Sequence, residues 1–356
     1  MIEARIKTQY PGGKDSAPFE LDVQFRAANG VTVLFGPSGS GKTLTLDMIA
    51  GFANPGQGRI LLDDRILFDA EARVNLPPRL RGCGYVFQNY ALFPHMTLKE
   101  NIYFATAQLP HLERHRRVNE ALERFRLADV AGRKPHQLSG GQKQRGSIVR
   151  ALVAEPGVLL LDEPSRGLDA PLRRELYEVL REVRTEYEAP IVLVTHDLDE
   201  CLELADQVLI YRDGKIVQAG EPRTTLEAPA SVDVARMLGI FNLLHVEILS
   251  LDPGRNLSRV RWNGTEIEGP YFPGHFLGDR ITISVRPREL KALPRAAKLA
   301  PNQIAAQLRR IVNQSEGFRL DFEGDISVDI PSSQVPNAGD NQEWMIEFPR
   351  HSIRAV

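Results

Sequence analysis

The sequence predicts a two-domain protein of mixed class, an α/β domain around a largely parallel sheet followed by a small all-β domain. Three observations carry that expectation. Residues 1–235 alternate short apolar runs with helical patterns, the arrangement of strands and crossover helices in a doubly wound sheet. Residues 240–356 change to short alternating runs separated by Gly, Pro and Asn, which reads as a β-rich, barrel-like domain. The length, 356 residues, exceeds what one ordinary core fills.

Composition bounds the function. Hydrophobic residues make up 42% of the chain and charged residues 25%, which excludes a fibrous or disordered protein. A formal net charge of −2 supplies no basic field for nucleic acid or anionic lipid, so any membrane contact must be specific. No run approaches the roughly 20 apolar residues of a bilayer span, and Met1-Ile2-Glu3-Ala4-Arg5 lacks both regions of a signal peptide. A cytoplasmic chain is expected. Cys83 and Cys201 are too few for a disulfide framework and lack metal-ligand company, so they are expected as buried or incidental thiols.

Taken in order, Val31-Thr32-Val33-Leu34-Phe35 reads as a buried strand running into a glycine loop, with a helix starting near Lys42. From Leu98 to Glu155 the pattern turns helical and polar, which places a helical subdomain at about 95–155 and sets Arg114-His115-Arg116-Arg117 on a solvated face. Val158-Leu159-Leu160-Leu161 and Ile191-Val192-Leu193-Val194 read as two more buried strands. Each delivers acidic or imidazole groups at its carboxyl end, where doubly wound sheets bind ligands. In the tail, Ile281-Thr282-Ile283-Ser284-Val285 and Trp344-Met345-Ile346-Glu347-Phe348 read as strands. Residues 301–312 allow two readings, a helix or a bent strand carrying Ile304, Leu308 and Ile311.

The glycine loop, Gly36-Pro37-Ser38-Gly39-Ser40-Gly41-Lys42-Thr43, fits G-x-x-x-x-G-K-[ST] in full and has the strand before it and the helix after it that the mechanism needs. Glycines let successive N–H groups turn inward onto phosphates, and the helix N-terminus adds partial positive charge. Lys42 is expected to reach the β- and γ-phosphates, and the Thr43 hydroxyl to ligate Mg²⁺. Asp162, at the end of the second strand, suits Mg²⁺ held through water. Glu163 follows it and projects the other way, placed to orient or deprotonate an attacking water. His196 is a candidate for contact with the γ-phosphate and that water, and Gln88 a neutral group that joins Mg²⁺ and water as the site closes.

Leu138-Ser139-Gly140-Gly141-Gln142 forms a second glycine-centred turn leading into a helix, hence a second phosphate-binding N-terminus. One nucleotide has no use for two cradles on one chain. The expectation is a head-to-tail homodimer in which this segment caps the γ-phosphate held by the other copy's Lys42 loop.

Together these segments resemble ABC transporter ATPase subunits over residues 1–235. The resemblance implies a RecA-like P-loop core with a helical subdomain, ATP and Mg²⁺ as cofactors, and an enzyme that hydrolyses ATP. It makes residues 36–43 the Walker A motif, residues 160–163 the Walker B motif with Glu163 as catalytic base, and Gln88 the Q-loop glutamine. Residues 138–142 become the signature motif, His196 the switch histidine, and Asp169 in Gly167-Leu168-Asp169 the D-loop aspartate. Arg166 departs from the pattern, since the family usually places a small residue, often Ser, there. Tyr10 is the upstream aromatic that would stack on adenine.

The resemblance further implies permease subunits in the membrane as partners, contacted from the Q-loop region, and a peripheral position on the cytoplasmic face of the cell (inner) membrane. A periplasmic or extracellular solute-binding protein would act indirectly. Through Phe241-Asn242-Leu243-Leu244 and Ile283-Ser284-Val285-Arg286-Pro287-Arg288-Glu289-Leu290, residues 240–356 resemble the oligomer-binding-type (TOBE/MOP-like) regulatory domain of importer ATPases. Residues 66–95 look most like molybdate importers, with sulfate, iron, sugar and polyamine importers sharing much of the stretch, so molybdate or a similar oxyanion is the expected solute. Nucleic acid is not expected as a partner. ABC-type repair proteins need a long coiled coil between the two glycine segments, and only about one hundred residues without heptads lie there; the tail also lacks a basic, aromatic-rich stripe.

Overall fold

In the computed structural model the apolar run before the glycine loop lies deep inside an eleven-stranded sheet. The structure describes residues 1–12, 17–294, 300–314, 317–334 and 343–356. They divide into two units, Met1–Ala228 and Pro229–Val356.

The first unit runs β1 (Ile2–Tyr10), β2 (Phe19–Ala27), β3 (Gly30–Phe35), α1 (Lys42–Ala50), β4 (Gln57–Leu62), β5 (Arg65–Asp69), β6 (Val74–Asn75), α2 (Pro78–Arg81) and β7 (Cys83–Val86). It continues through α3 (Leu98–Ala105), α4 (His111–Arg124), α5 (Gly140–Leu152), β8 (Val158–Asp162), α6 (Ala170–Glu186), β9 (Pro190–Thr195), α7 (Leu198–Leu204), β10 (Gln207–Arg212), β11 (Lys215–Gly220) and α8 (Pro222–Glu227). The strand order is β6-β5-β4-β1-β2-β11-β10-β3-β9-β8-β7.

The sheet corrects the expectation of largely parallel pairing. Strands β7, β8, β9, β3 and β10 form a parallel block, whereas β4, β1 and β2, the β4–β5–β6 meander and the β10–β11 hairpin pair antiparallel. Burial explains the division. β8 and β9 are buried at every residue, as parallel strands covered on both faces must be, while β2 alternates buried and exposed positions and so covers one face only. A two-residue turn at Asp63 and Asp64 joins β4 to β5, too short for a crossover.

The helix that carries the glycine loop is fastened at its far end by a charge no local pattern announces. Arg81 is fully buried. Its Nη1 donates to the Met48 carbonyl (2.6 Å) and the Ile49 carbonyl (2.9 Å), Nε to the Leu76 carbonyl (2.7 Å), and Nη2 to Asn75 Oδ1 (2.7 Å). A cation there satisfies carbonyls that the end of α1 leaves unpaired and complements its dipole. In the helical stretch, the basic cluster is less solvated than expected. Arg114 donates to the Tyr103 carbonyl and lies over the Tyr103 ring; Arg116 pairs with Glu113 and Glu120, and Arg117 with Glu113 and Glu155.

The second unit opens with α9 (Val232–Leu238) and continues β12 (Asn242–Asp252), β13 (Leu257–Trp262), β14 (Thr265–Gly269), β15 (Arg280–Val285) and β16 (Lys291–Pro294). There follow β17 (Gln303–Gln314), β18 (Gly317–Phe322), β19 (Ile326–Pro331), β20 (Glu343–Glu347) and β21 (Arg354–Ala355). These make two five-stranded sheets, β14-β13-β12-β15-β21 and β16-β20-β17-β18-β19, which share one core of residues such as Leu244, Ile283, Ile304, Leu320 and Ile346. The ambiguous stretch is strand β17, not helix. Ile304, Ala306 and Leu308 alternate inward, and a register shift between Leu308 and Arg310 supplies the bend.

Candidate functional site

The site is assembled where β3, β8 and β9 end side by side. β3 is buried through Phe35, and the chain then turns over residues 36–41 into α1. Gly41 sits at φ +99°, and a Cβ there would lie 2.6 Å from Leu21 Cδ1 and 3.2 Å from Phe19 Cζ, so no other residue fits. No side chain caps the start of α1, which leaves its first N–H groups to bind an anion. Pro37, Ser38 and Gly39 are exposed on the crest of the loop, while Gly36 and Ser40 are buried beneath it. Lys42 Nζ folds over the loop and donates to the Gly36 and Pro37 carbonyls, both at 2.7 Å, with Ser40 Oγ at 3.4 Å. Burial lowers its pKa, and the Glu163 and Asp162 carboxylates pull it back up.

Thr43 Oγ1 donates to Asp162 Oδ1 at 2.9 Å, joining the loop to the end of β8. Asp162 is buried, which raises its pKa against the lowering effect of the Thr43 hydrogen bond. Glu163, next in the chain, takes φ +44°, a left-handed conformation that a residue with a side chain adopts under constraint from its surroundings. The constraint is visible: its N–H donates to the Val194 carbonyl on β9 at 3.0 Å. Three groups meet its carboxylate. His196 Nδ1 lies 3.5 Å from Oε1, Arg166 Nη1 donates to Oε2 at 2.9 Å, and Gln88 Nε2 lies 3.4 Å from Oε2. Turned over, the Gln88 amide gives up that contact and instead presents its oxygen to Arg166 Nε at 3.0 Å.

Residues 138–142 and Asp169 form a second group. Ser139 caps α5, its Oγ accepting from Gln142 N–H (3.2 Å) while Gln142 Oε1 accepts from Ser139 N–H (3.0 Å). Asp169 caps α6, Oδ1 accepting from Leu172 N–H at 3.0 Å. Leu138 is buried, and Gly140 and Gly141 lie against Leu168 and Leu172; a Cβ on Gly141 would come 2.8 Å from Leu172 Cδ2. Among the described residues no hydrogen bond or ion pair joins residues 138–142 to residues 36–43 of the same chain.

Tyr10 ends β1 at 40% exposure, opposite Phe19 in the β1–β2 ladder. Phe19, whose ring edges the loop beside Gly41, carries no local mark in the sequence. Two further contacts were equally silent. Arg173 Nη1 donates to Asp197 Oδ2 at 2.8 Å, and Ser165 Oγ donates to Glu200 Oε2 at 3.1 Å. Burial pushes the Glu200 carboxyl up to about 7. Arg166 was visible as an oddity, and its three-residue spacing from Glu163 in a turn is the signal that the two can meet.

This geometry can hold a triphosphate on backbone amides and Lys42, with hard oxygens from Thr43 and Asp162 beside it and a carboxylate at the reacting end. The ABC transporter family model matches residues 21–166. Spermidine/putrescine import ATP-binding protein PotA of Vibrio cholerae is 41% identical over 288 residues, covering 80% of this chain and 74% of that protein. The chain belongs to the ABC transporter import ATP-binding proteins. Molybdenum import ATP-binding protein ModC of Paramagnetospirillum magneticum is 37% identical over 246 residues, 69% of this chain and 68% of that one. Among solved structures, a dimeric ATP-binding cassette in a post-hydrolysis state, bound to ADP and Pi, matches with TM-score 0.54 and 27% identity over 63% of this chain and 99% of its own. This ABC protein is thus an ATP-binding ATPase. Its family match takes in the glycine loop, Gln88, residues 138–142, Asp162, Glu163 and Arg166; Asp169 and His196 lie beyond it. No helix among the described residues is long and apolar enough to cross a membrane.

Proposed function

We propose that the chain is the motor subunit of an ABC importer, hydrolysing ATP in a homodimer docked on permease subunits at the cytoplasmic face of the membrane. The observation that carries this reading is the gathering of Lys42, Thr43–Asp162 and Glu163 with Gln88 and His196 at the carboxyl edge of one parallel block.

Residues 36–43 hold the phosphates, Lys42 moving from the loop carbonyls onto the β- and γ-oxygens. Mg²⁺ fits the oxygens of Thr43 and Asp162. Among the described residues no three His, Cys, Asp or Glu side chains gather into a metal cage, which suits an ion that takes its remaining ligands from phosphate and water. When bound, Mg²⁺ neutralises charge building on the phosphates. Glu163 orients the attacking water and accepts its proton as the oxygen–phosphorus bond forms and ADP leaves. His196 steadies the γ-phosphate and the water, and Gln88 closes over the ion.

Among the described residues, residues 138–142 and Asp169 make no hydrogen bond to residues 36–43 of their own chain, which supports their acting on the loop of a second copy; the dimeric state of the similar cassette supports the same arrangement. The two-sheet second unit supports a TOBE/MOP-like regulatory role, and an external solute-binding protein acts only through the permease. Residues 66–95 favour molybdate or a similar oxyanion as the solute, while the names of the relatives include both a polyamine and molybdenum importer. The test is Glu163→Gln. It is expected to bind ATP, to lose at least about a hundredfold in turnover, and to accumulate as a dimer in size-exclusion chromatography with ATP. Near-normal hydrolysis would remove Glu163 from the role of base.

A further inference from the structure

The carboxylate assigned above as base is already engaged, and by a side chain the chemistry does not require. Glu163 Oε2 accepts from Arg166 Nη1 at 2.9 Å, and the same guanidinium lies against the Gln88 amide. Glu163 is only 12% exposed, whereas Arg166 is 57% exposed, so the arginine reaches inward from the surface to a sheltered acid. We infer that Arg166 is a positioning residue, a latch that holds Glu163 and Gln88 away from the attacking water and lets go when the site closes.

The turn that carries Arg166 is built to hold it there. Arg166 N–H donates to the Glu163 carbonyl (3.1 Å) and Leu168 N–H to the Ser165 carbonyl (3.2 Å), which fixes a tight turn directly after the base. On one side Ser165 Oγ is tied to buried Glu200, and on the other Asp169 caps α6. A side chain starting between two such anchors is held near the base, and it pairs with the Glu163 carboxylate. A carboxylate oxygen already accepting from a guanidinium turns that lone pair away from any other donor, an attacking water included. Oε2 is freed for water only when Arg166 lets go, and that parting subtracts from the rate without touching the phosphate cradle.

The inference rests on Glu163 being the base. It is tested on the full-length chain by steady-state ATP hydrolysis of wild type, Arg166→Ser, Arg166→Lys, Glu163→Gln and the double variant. Arg166→Ser is expected to raise kcat about fivefold, equivalent to about 1 kcal/mol of barrier, with KM for ATP unchanged. Arg166→Lys, which keeps the charge, stays within about twofold of wild type, and in the Glu163→Gln background Arg166→Ser has no effect. An unchanged kcat in Arg166→Ser would overturn the latch, as would a fall in kcat at constant KM, which would make Arg166 a support for the productive pose. Full activity in Glu163→Gln alone would instead remove the base, so the two failures are told apart.

Discussion

Replacing Arg81 by Met removes a buried guanidinium of similar length and leaves its acceptors behind. Those acceptors are the carbonyls of Met48, Ile49 and Leu76 and the Asn75 side chain, at 2.6–2.9 Å. An acceptor left unpaired in the interior costs about 1–3 kcal/mol, so the gross loss is roughly 4–12 kcal/mol. Against it stands the several kcal/mol no longer spent on burying a cation. The net expectation is about 3 kcal/mol of destabilisation, confined to the first unit. With a urea dependence of about 3 kcal/mol/M, the midpoint falls by about 1 M. Two probes separate the units, since a single unfolding free energy is ill defined for a two-domain chain. Nearly all the helix lies in residues 1–228, so far-UV circular dichroism follows the first unit. Both tryptophans, Trp262 and Trp344, lie in the second, so fluorescence follows that one. The dichroism transition is expected to move and the fluorescence transition to stay. A dichroism shift below about 0.3 M would refute the assignment of Arg81 as the anchor of α1.

Two other perturbations test the site and its support. Gly41→Ala puts a Cβ 2.6 Å from Leu21 Cδ1 at φ +99°; affinity for a fluorescent ATP analogue is expected to fall at least about tenfold while the fold persists, and unaltered affinity would contradict the need for glycine there. Glu200, pushed up from 4.5 to about 7 by burial, keeps a proton in the folded chain that the unfolded chain has lost. Its contribution to stability therefore falls as pH rises from about 4.5 to about 7, and the full penalty, up to about 3 kcal/mol, stands above that window. Glu200→Gln should stabilise the first unit by that order at pH 8 and by less than about 1 kcal/mol at pH 5; equal gains at both values would show that Glu200 ionises normally.

What the sequence made legible was local. The buried runs ending at Phe35, Asp162 and Thr195 are continuous apolar stretches, and the groups they deliver follow within a residue or two. Ser139 and Gln142 show their reciprocal cap in their spacing. The antiparallel half was less legible because β1 and β2 alternate like many strands and name no partner, and β17 was ambiguous because its bulge breaks the two-residue period midway. The contacts of Arg81 with Met48 and of Glu200 with Ser165 cross more than thirty residues, a separation over which no pattern in the chain speaks. The pairing of Arg166 with Glu163 is hidden for another reason. The departure at Arg166 shows in the sequence, but its partner depends on the turn over residues 163–168, which only the folded chain supplies.

The buried guanidinium has a mechanical meaning beyond stability. α1 is a rod about 14 Å long with the phosphate loop at one end and Arg81 clamped to the other. Two residues beyond Arg81 begins β7, which leads directly to Gln88, and midway the Tyr85 hydroxyl donates to Asp47 Oδ1 at 2.9 Å, forming a second rung between rod and strand. Loop, helix, clamp and strand therefore form one continuous linkage from residues 36–41 to Gln88. α1 is thus tied to the strand that leads to Gln88 at two separate points, the Arg81 clamp and the Tyr85–Asp47 rung, which makes the support of the loop and the support of Gln88 one piece of structure.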